Sequence, residues 1–185
     1  MSRSANHSPA PDAPEAPLLP VAGLVYGVLD DLLGYALRRA QNALYLDFFR
    51  ATEAYDVSPQ RFAALVLVAE NPGLRQGLLA QAMGLHRSGA LRLTNWLAER
   101  GWVERRDDPL DARSWGLHLT TSGLAQVEAL TAAVRAHDAA LSQALGKQAT
   151  GLKQTLEQLA LLANASAAIT RPASSLTTSP PGDTP

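Results

Sequence analysis

Leucine, alanine and aromatic residues recur at three- and four-residue spacing from 21 to 55 with no internal proline, which predicts one long helix, bent near Gly34. Ser58 followed by Pro59 is a helix start, because serine caps free amides and proline sits where no amide partner is needed. A second helix therefore runs from Pro59 to about Glu70 and stops at Asn71-Pro72-Gly73. A short helix over 76–83, a sharp turn at Gly84 and a helix over 87–100 closed by Gly101 follow. The apolar period then shortens. Residues 102–106 and 115–119 read as strands joined by the turn-rich 107–111, and two more helices run from Thr120 or Thr121 to about Ala144 and over 147–165.

Two helices joined by a short glycine-bearing turn form a helix-turn-helix, and the hairpin after it adds a wing. The predicted fold is mainly α with a small β-hairpin: a winged helix-turn-helix over about 57–120, flanked by long helices over about 21–55 and 121–165. Sequence-distant terminal helices with an apolar stripe pack together, often between two chains. The tails, 1–17 and 167–185, are rich in proline, alanine, serine and threonine, and are expected to be disordered around an ordered 18–166.

Charge and composition narrow the function. The chain has 185 residues, 46% of them hydrophobic, and a net charge of −1, so no global field holds a nucleic acid. The distribution is uneven, however. Seven arginines (75, 87, 92, 100, 105, 106 and 113) stand between 75 and 113 against five acids (99, 104, 107, 108 and 111), a basic middle on an acidic frame. The absence of cysteine excludes disulfides, cysteine-ligated zinc or iron–sulfur centres and thiol redox switching, and suits a cytoplasmic protein. No stretch reaches the roughly 18–20 apolar residues of a membrane span. The apolar run 18–29 lacks the basic start of a secretory signal, being flanked by Asp12, Glu15, Asp30 and Asp31. His7, His86, His118 and His137 are scattered, with no helical metal spacing, serine elbow or phosphate-binding glycine loop. A catalyst, a metal and a cofactor are not expected.

Three runs in order carry a family resemblance: 77–85 (GLLAQAMGL), 97–106 (LAERGWVERR), and 108–114 (DPLDARS) continuing through Leu119-Thr120-Thr121-Ser122-Gly123. They resemble the MarR family of bacterial transcriptional regulators over roughly 25–163. The resemblance implies a homodimer with interlocked terminal helices, presenting two winged helices to a palindromic operator on double-stranded DNA. It also places the helix from Arg87 in the major groove.

On that helix Arg87, Ser88 and Arg92 are positioned for base edges or phosphates. Gly89 and Ala90 replace what is often a hydroxyl and a branched residue, while Leu91 and Trp96 stand at positions often polar, which favours reading of DNA shape. Arg113 matches the family's wing-tip arginine and Asp111 the acid that steers it, and Arg105 and Arg106 at the strand end complete the DNA-facing set. A surface salt bridge is the alternative for Arg113. Family members often sense a small anionic or aromatic molecule. Tyr35, Arg38, Asn42 and Tyr45 on the first helix, with Arg61, Phe62 and Leu65 on the second, suit an aromatic or phenolic carboxylate or its thioester. Core packing accounts for the same residues. The expected protein is a ligand-released repressor; the alternative is a DNA-binding or scaffolding dimer without small-molecule input.

Overall fold

The computed structural model describes Val21, residues 23–108 and residues 111–169, without the side chains of 108, 111–113 and 166–169. In chain order the elements are α1 (Leu33–Ala51), α2 (Pro59–Glu70), α3 (Gln76–Ala82), α4 (Arg87–Glu99), β1 (Val103–Asp108), β2 (Asp111–Leu119), α5 (Thr121–Leu145) and α6 (Gln148–Ile169). The chain divides into two units, Met1–Asp138 and Ala139–Pro185. Among the described residues no helix is long and apolar enough to cross a membrane.

The single helix expected over 21–55 is three pieces. A 3-10 turn spans Gly27–Asp31, α1 begins only at Leu33, and a second 3-10 turn covers Glu53–Tyr55. The interruption is at Leu32, which is extended (ψ 116°), rather than at Gly34. Gly27 adopts φ +58°, a conformation a helix does not use, so periodic leucines continue across a backbone that does not. Downstream of α1, Thr52 is fully buried and its hydroxyl lies 2.8 Å from the Phe48 carbonyl and 3.2 Å from that of Val57, pinning the corner into α2.

The middle follows its punctuation. Ser58 Oγ accepts from the Arg61 amide at 3.3 Å and Pro59 opens α2, as expected. The buried faces of α2, α3 and α4 meet the sheet in one core that includes Leu65, Leu79, Leu97, Val103 and Leu117. Alternation puts Val103 inward while Glu104 stays exposed, and pairs Val103 with Leu119 and Arg105 with Leu117. Both strands run further toward the wing tip than the apolar pattern indicates. A two-stranded ribbon open to water tolerates a charged residue such as Asp107, which pairs with Trp115, and the register shifts between Asp107 and Asp108.

A third short segment joins the sheet. The Gly73 amide donates to the Leu117 carbonyl at 2.9 Å and the Leu117 amide to the Leu74 carbonyl at 3.0 Å, so the turn before α3 is tied to the wing. Side-chain-free backbone makes this possible. A Cβ on Gly116 would come within 2.6 Å of the Gly73 Cα.

α4 ends at Gly101, whose φ of +68° is the left-handed geometry a glycine accepts without strain. Its carbonyl accepts from the Thr120 hydroxyl at 2.5 Å and the Ser122 hydroxyl at 2.7 Å, while Thr120 Oγ1 accepts from the Gly123 amide at 3.0 Å. Thr120 is thus the α5 cap. In the second unit α6 runs to Ile169, past the boundary expected at 166, and exposes Leu152, Leu156, Leu161 and Leu162. The tail 1–17, and the other tail from 170 onward, lie outside the described residues.

Candidate functional site

α4 has three faces. At about 100° per residue, Ala90, Leu93, Thr94 and Leu97 fall on one side, and all four are buried. Arg87, Ser88, Leu91 and Asn95 fall on another, and all four are exposed. Gly89, Arg92, Leu93 and Trp96 make the third, which is one wall of a cavity of about 680 Å³. Arg92 stands at the border of the second and third faces: exposed to solvent, yet lining the cavity.

The opposite wall comes from Gln41, Asn42 and Tyr45 of α1 and from Ser58, Gln60 and Arg61 at the start of α2. Two guanidiniums, three carboxamides, a phenol and an indole line this space, and no carboxylate does. Such a lining is chemically suited to an aromatic anion, with cations and amides for its oxygens and rings for its flat body. The Arg61 guanidinium carbon lies 3.9 Å from the centre of the Trp96 ring, and that of Arg100 lies 4.1 Å from it. Arg100 is held in turn by Asp56 at 2.9 Å. Trp96 also meets Trp102 edge-on with centres 5.5 Å apart.

Of the residues expected to meet a ligand, Asn42, Tyr45 and Arg61 line the cavity and the others do not. Leu65 is fully buried in the core. Phe62 packs toward Phe48, with ring centres 6.2 Å apart, and Tyr35 pairs at the same distance with Tyr26. Arg38 is exposed on α1 away from the lining. Helical spacing puts these side chains on adjacent faces but does not say which face the winged helix covers. The other eight lining residues, among them Gln41, Gln60, Gly89, Arg92 and Trp96, were not anticipated. The spacing of Gly89, Arg92 and Trp96 is the signal that marks their common face, with a glycine opening room beneath two large side chains.

The wing arginines divide. Arg105 donates to Asn95 Oδ1 at 2.6 Å and lies over the Trp115 ring at 4.8 Å, bracing α4 against the wing. Arg106 is on the other face, its Nε 2.7 Å from Glu104 Oε1. Both were expected at DNA, and both are engaged by neighbours. The side chains of Asp111 and Arg113 lie outside the described residues. Elsewhere in the first unit, His137 of α5 reaches Asp47 of α1 at 2.9 Å, with its ring edge-on to Phe48.

A helix-turn-helix whose second helix exposes a polar face and is buttressed by a hairpin has the architecture of a DNA-reading module. Residues 55–114 match the model of the MarR family. A protein of Thauera aromatica assigned as the putative transcriptional regulator of the hcr operon is 36% identical over 132 residues, 71% of this chain and 80% of that protein. The chain belongs to the MarR family. It is a winged-helix transcriptional regulator, and solved relatives agree. The repressor CouR bound to a 23-mer DNA duplex superposes with a TM-score of 0.68 at 33% identity, over 76% of this chain and 98% of that one. CouR bound to p-coumaroyl-CoA gives 0.67 at 31% identity, over 76% of this chain and 97% of that one.

Proposed function

We propose that this MarR-family protein is a cytoplasmic homodimeric repressor that binds a palindromic operator and is released by a small aromatic acid or its thioester. The observation that carries the reading is the cavity whose wall is the recognition helix itself, through Gly89, Arg92 and Trp96, opposite α1 and α2. Anything bound there touches the element that reads DNA. The likeness to CouR, solved both on DNA and with p-coumaroyl-CoA, supports the same pairing of ligand and duplex.

Dimerisation is supported in each unit separately. In the first, Val21, Leu24, Val25, Val28 and Leu33 are exposed around the start of α1, and in the second the leucines of α6 are exposed. Faces this apolar are covered in a stable protein. Two copies related by a two-fold axis then present two α4 helices about one helical turn of DNA apart, the geometry a palindrome answers. On α4, Arg87 and Ser88 face the duplex, and Arg113 and Asp111 serve the wing tip.

Release requires the ligand to prefer the conformations that bind DNA poorly, since equal affinity for both shifts nothing. The test is to select a duplex from a random oligonucleotide pool, then titrate aromatic acids and their CoA thioesters while following both thermal stabilisation and operator release. A palindromic selected site and a ligand that does both are expected. Selection with no palindrome overturns the dimeric operator. A stable complex indifferent to every acid leaves the scaffold-like DNA-binding dimer instead.

A further inference from the structure

Arg92 stands at the border of two faces of one helix. Toward one side lie the exposed Ser88 and Asn95, and toward the other the cavity-lining Gly89 and Trp96. The residue is solvent-exposed, and among the described residues no carboxylate pairs with it. Three other arginines around the cavity and the wing are committed, while Arg87 is exposed at the start of α4 and does not line the cavity. Arg61 and Arg100 stack on Trp96, Arg100 also holds Asp56, and Arg105 holds Asn95. An arginine side chain is long enough to swing between two sites one helix face apart, and its planar fork binds a carboxylate or a phosphate equally well.

We propose that Arg92 is shared between operator and ligand: in the DNA complex it contacts a backbone phosphate, and a carboxylate or thioester phosphate in the cavity recruits the same guanidinium away from it. Part of the induction is then direct competition for one side chain on the recognition helix, independent of any change in the spacing of the two helices. This rests on the ligand-released reading above and assigns it a coupling residue. Because linkage is reciprocal, the operator must weaken ligand binding by the same factor through the same side chain.

The experiment uses the full chain, the duplex selected from the random pool, and two probes, 4-hydroxycinnamate and p-coumaroyl-CoA. Operator affinity is measured against salt concentration for the wild type, Arg92→Gln, Arg92→Lys and Arg61→Gln, each checked for folding by circular dichroism. Losing one phosphate contact per protomer lowers the slope of log affinity against log salt by about one unit per protomer. Arg92→Gln should show that drop, bind the probe about tenfold more weakly, and lose much of the probe's effect on DNA. Saturating probe should bring the wild-type slope down to that of Arg92→Gln. Arg92→Lys should keep the slope while losing probe affinity, and Arg61→Gln should lose probe affinity with the slope intact. If a probe binds the wild type and releases the operator, yet Arg92→Gln retains the full slope or the full release, the shared-residue inference is overturned and the ligand reading stands. If neither probe, nor any other acid or thioester of the panel titrated above, binds the wild type, the ligand reading falls and takes this inference with it.

Discussion

Gly123 lies so close to the Trp102 carbonyl that a Cβ built on it would overlap that oxygen. The obstacle is fixed backbone, because the same carbonyl accepts from the Thr120 amide at 3.0 Å and Gly101, next to Trp102, is gripped by Thr120 and Ser122. Gly123→Ala must push the start of α5 away from the helix-to-wing junction, and it is expected to cost about 3 kcal/mol or more. Gly77 in α3 is the matched control, because a Cβ added there would meet nothing within 4 Å. Gly77→Ala should gain about 0.5–1 kcal/mol from helix propensity. Urea unfolding of the two variants measures both, and equal stabilities would show that the close approach is not rigid.

That junction explains why the middle of the chain is legible in the sequence. The runs around Gly101 and from Leu119 to Gly123 are distant in sequence and form one hydrogen-bonded knot, so local punctuation and tertiary need coincide there. Ser58-Pro59 likewise writes its own cap. The first helix differs from its pattern because hydrophobic spacing continues through Leu32 while the backbone turns extended, and spacing reports which side chains seek cover, not whether amides stay paired. The cavity is half legible for a related reason. Asn42, Tyr45 and Arg61 are recognisable as aromatic, amide and cationic candidates, but the choice between them and Leu65 or Phe62 depends on how α4 lies across α1 and α2. Trp96 announces only that a large ring stands where a polar residue is common.

Trp96 offers the most direct readout of the cavity. Its ring forms part of the wall and carries the Arg61 guanidinium at 3.9 Å, so an acid that draws on Arg61 changes the indole's surroundings. Ligand titration should change tryptophan emission in the wild type, and Trp96→Phe should abolish most of that response while Trp102→Phe and Trp115→Phe preserve it. The smaller ring of Trp96→Phe weakens two cation–π contacts and one edge contact, which should cost about 1 kcal/mol. A ligand response that survives in Trp96→Phe would place the bound molecule elsewhere.

Arg105 should affect DNA binding without touching DNA. Its bond to Asn95 and its stack on Trp115 join α4 to the wing and brace one against the other. Arg105→Ala is expected to weaken operator binding several-fold while leaving the salt slope within error of the wild type. Being exposed, it should change stability by less than about 1 kcal/mol. A slope reduced as if a phosphate contact were lost would make Arg105 an interface residue instead.

Arg113 should behave in the opposite way. It follows the start of β2 at Asp111, in the hairpin that projects beyond the core, and its permanently charged, weakly hydrated guanidinium suits the narrow, electronegative minor groove of A·T-rich steps. Replacing it with alanine removes a counterion-displacing charge from each protomer. Arg113→Ala should therefore lower both affinity and the salt slope, the latter by about one unit per protomer. Arg113→Lys separates charge from shape: it should retain the slope and lose preference for A·T pairs at the flanks of the selected site, because a compact, strongly hydrated ammonium resists the desolvation that a narrow groove demands. Operator variants with G·C flanks, titrated at several salt concentrations against the three proteins, measure both quantities together. An alanine variant with the wild-type slope and wild-type flank preference would remove the wing tip from the interface and leave recognition to α4 alone.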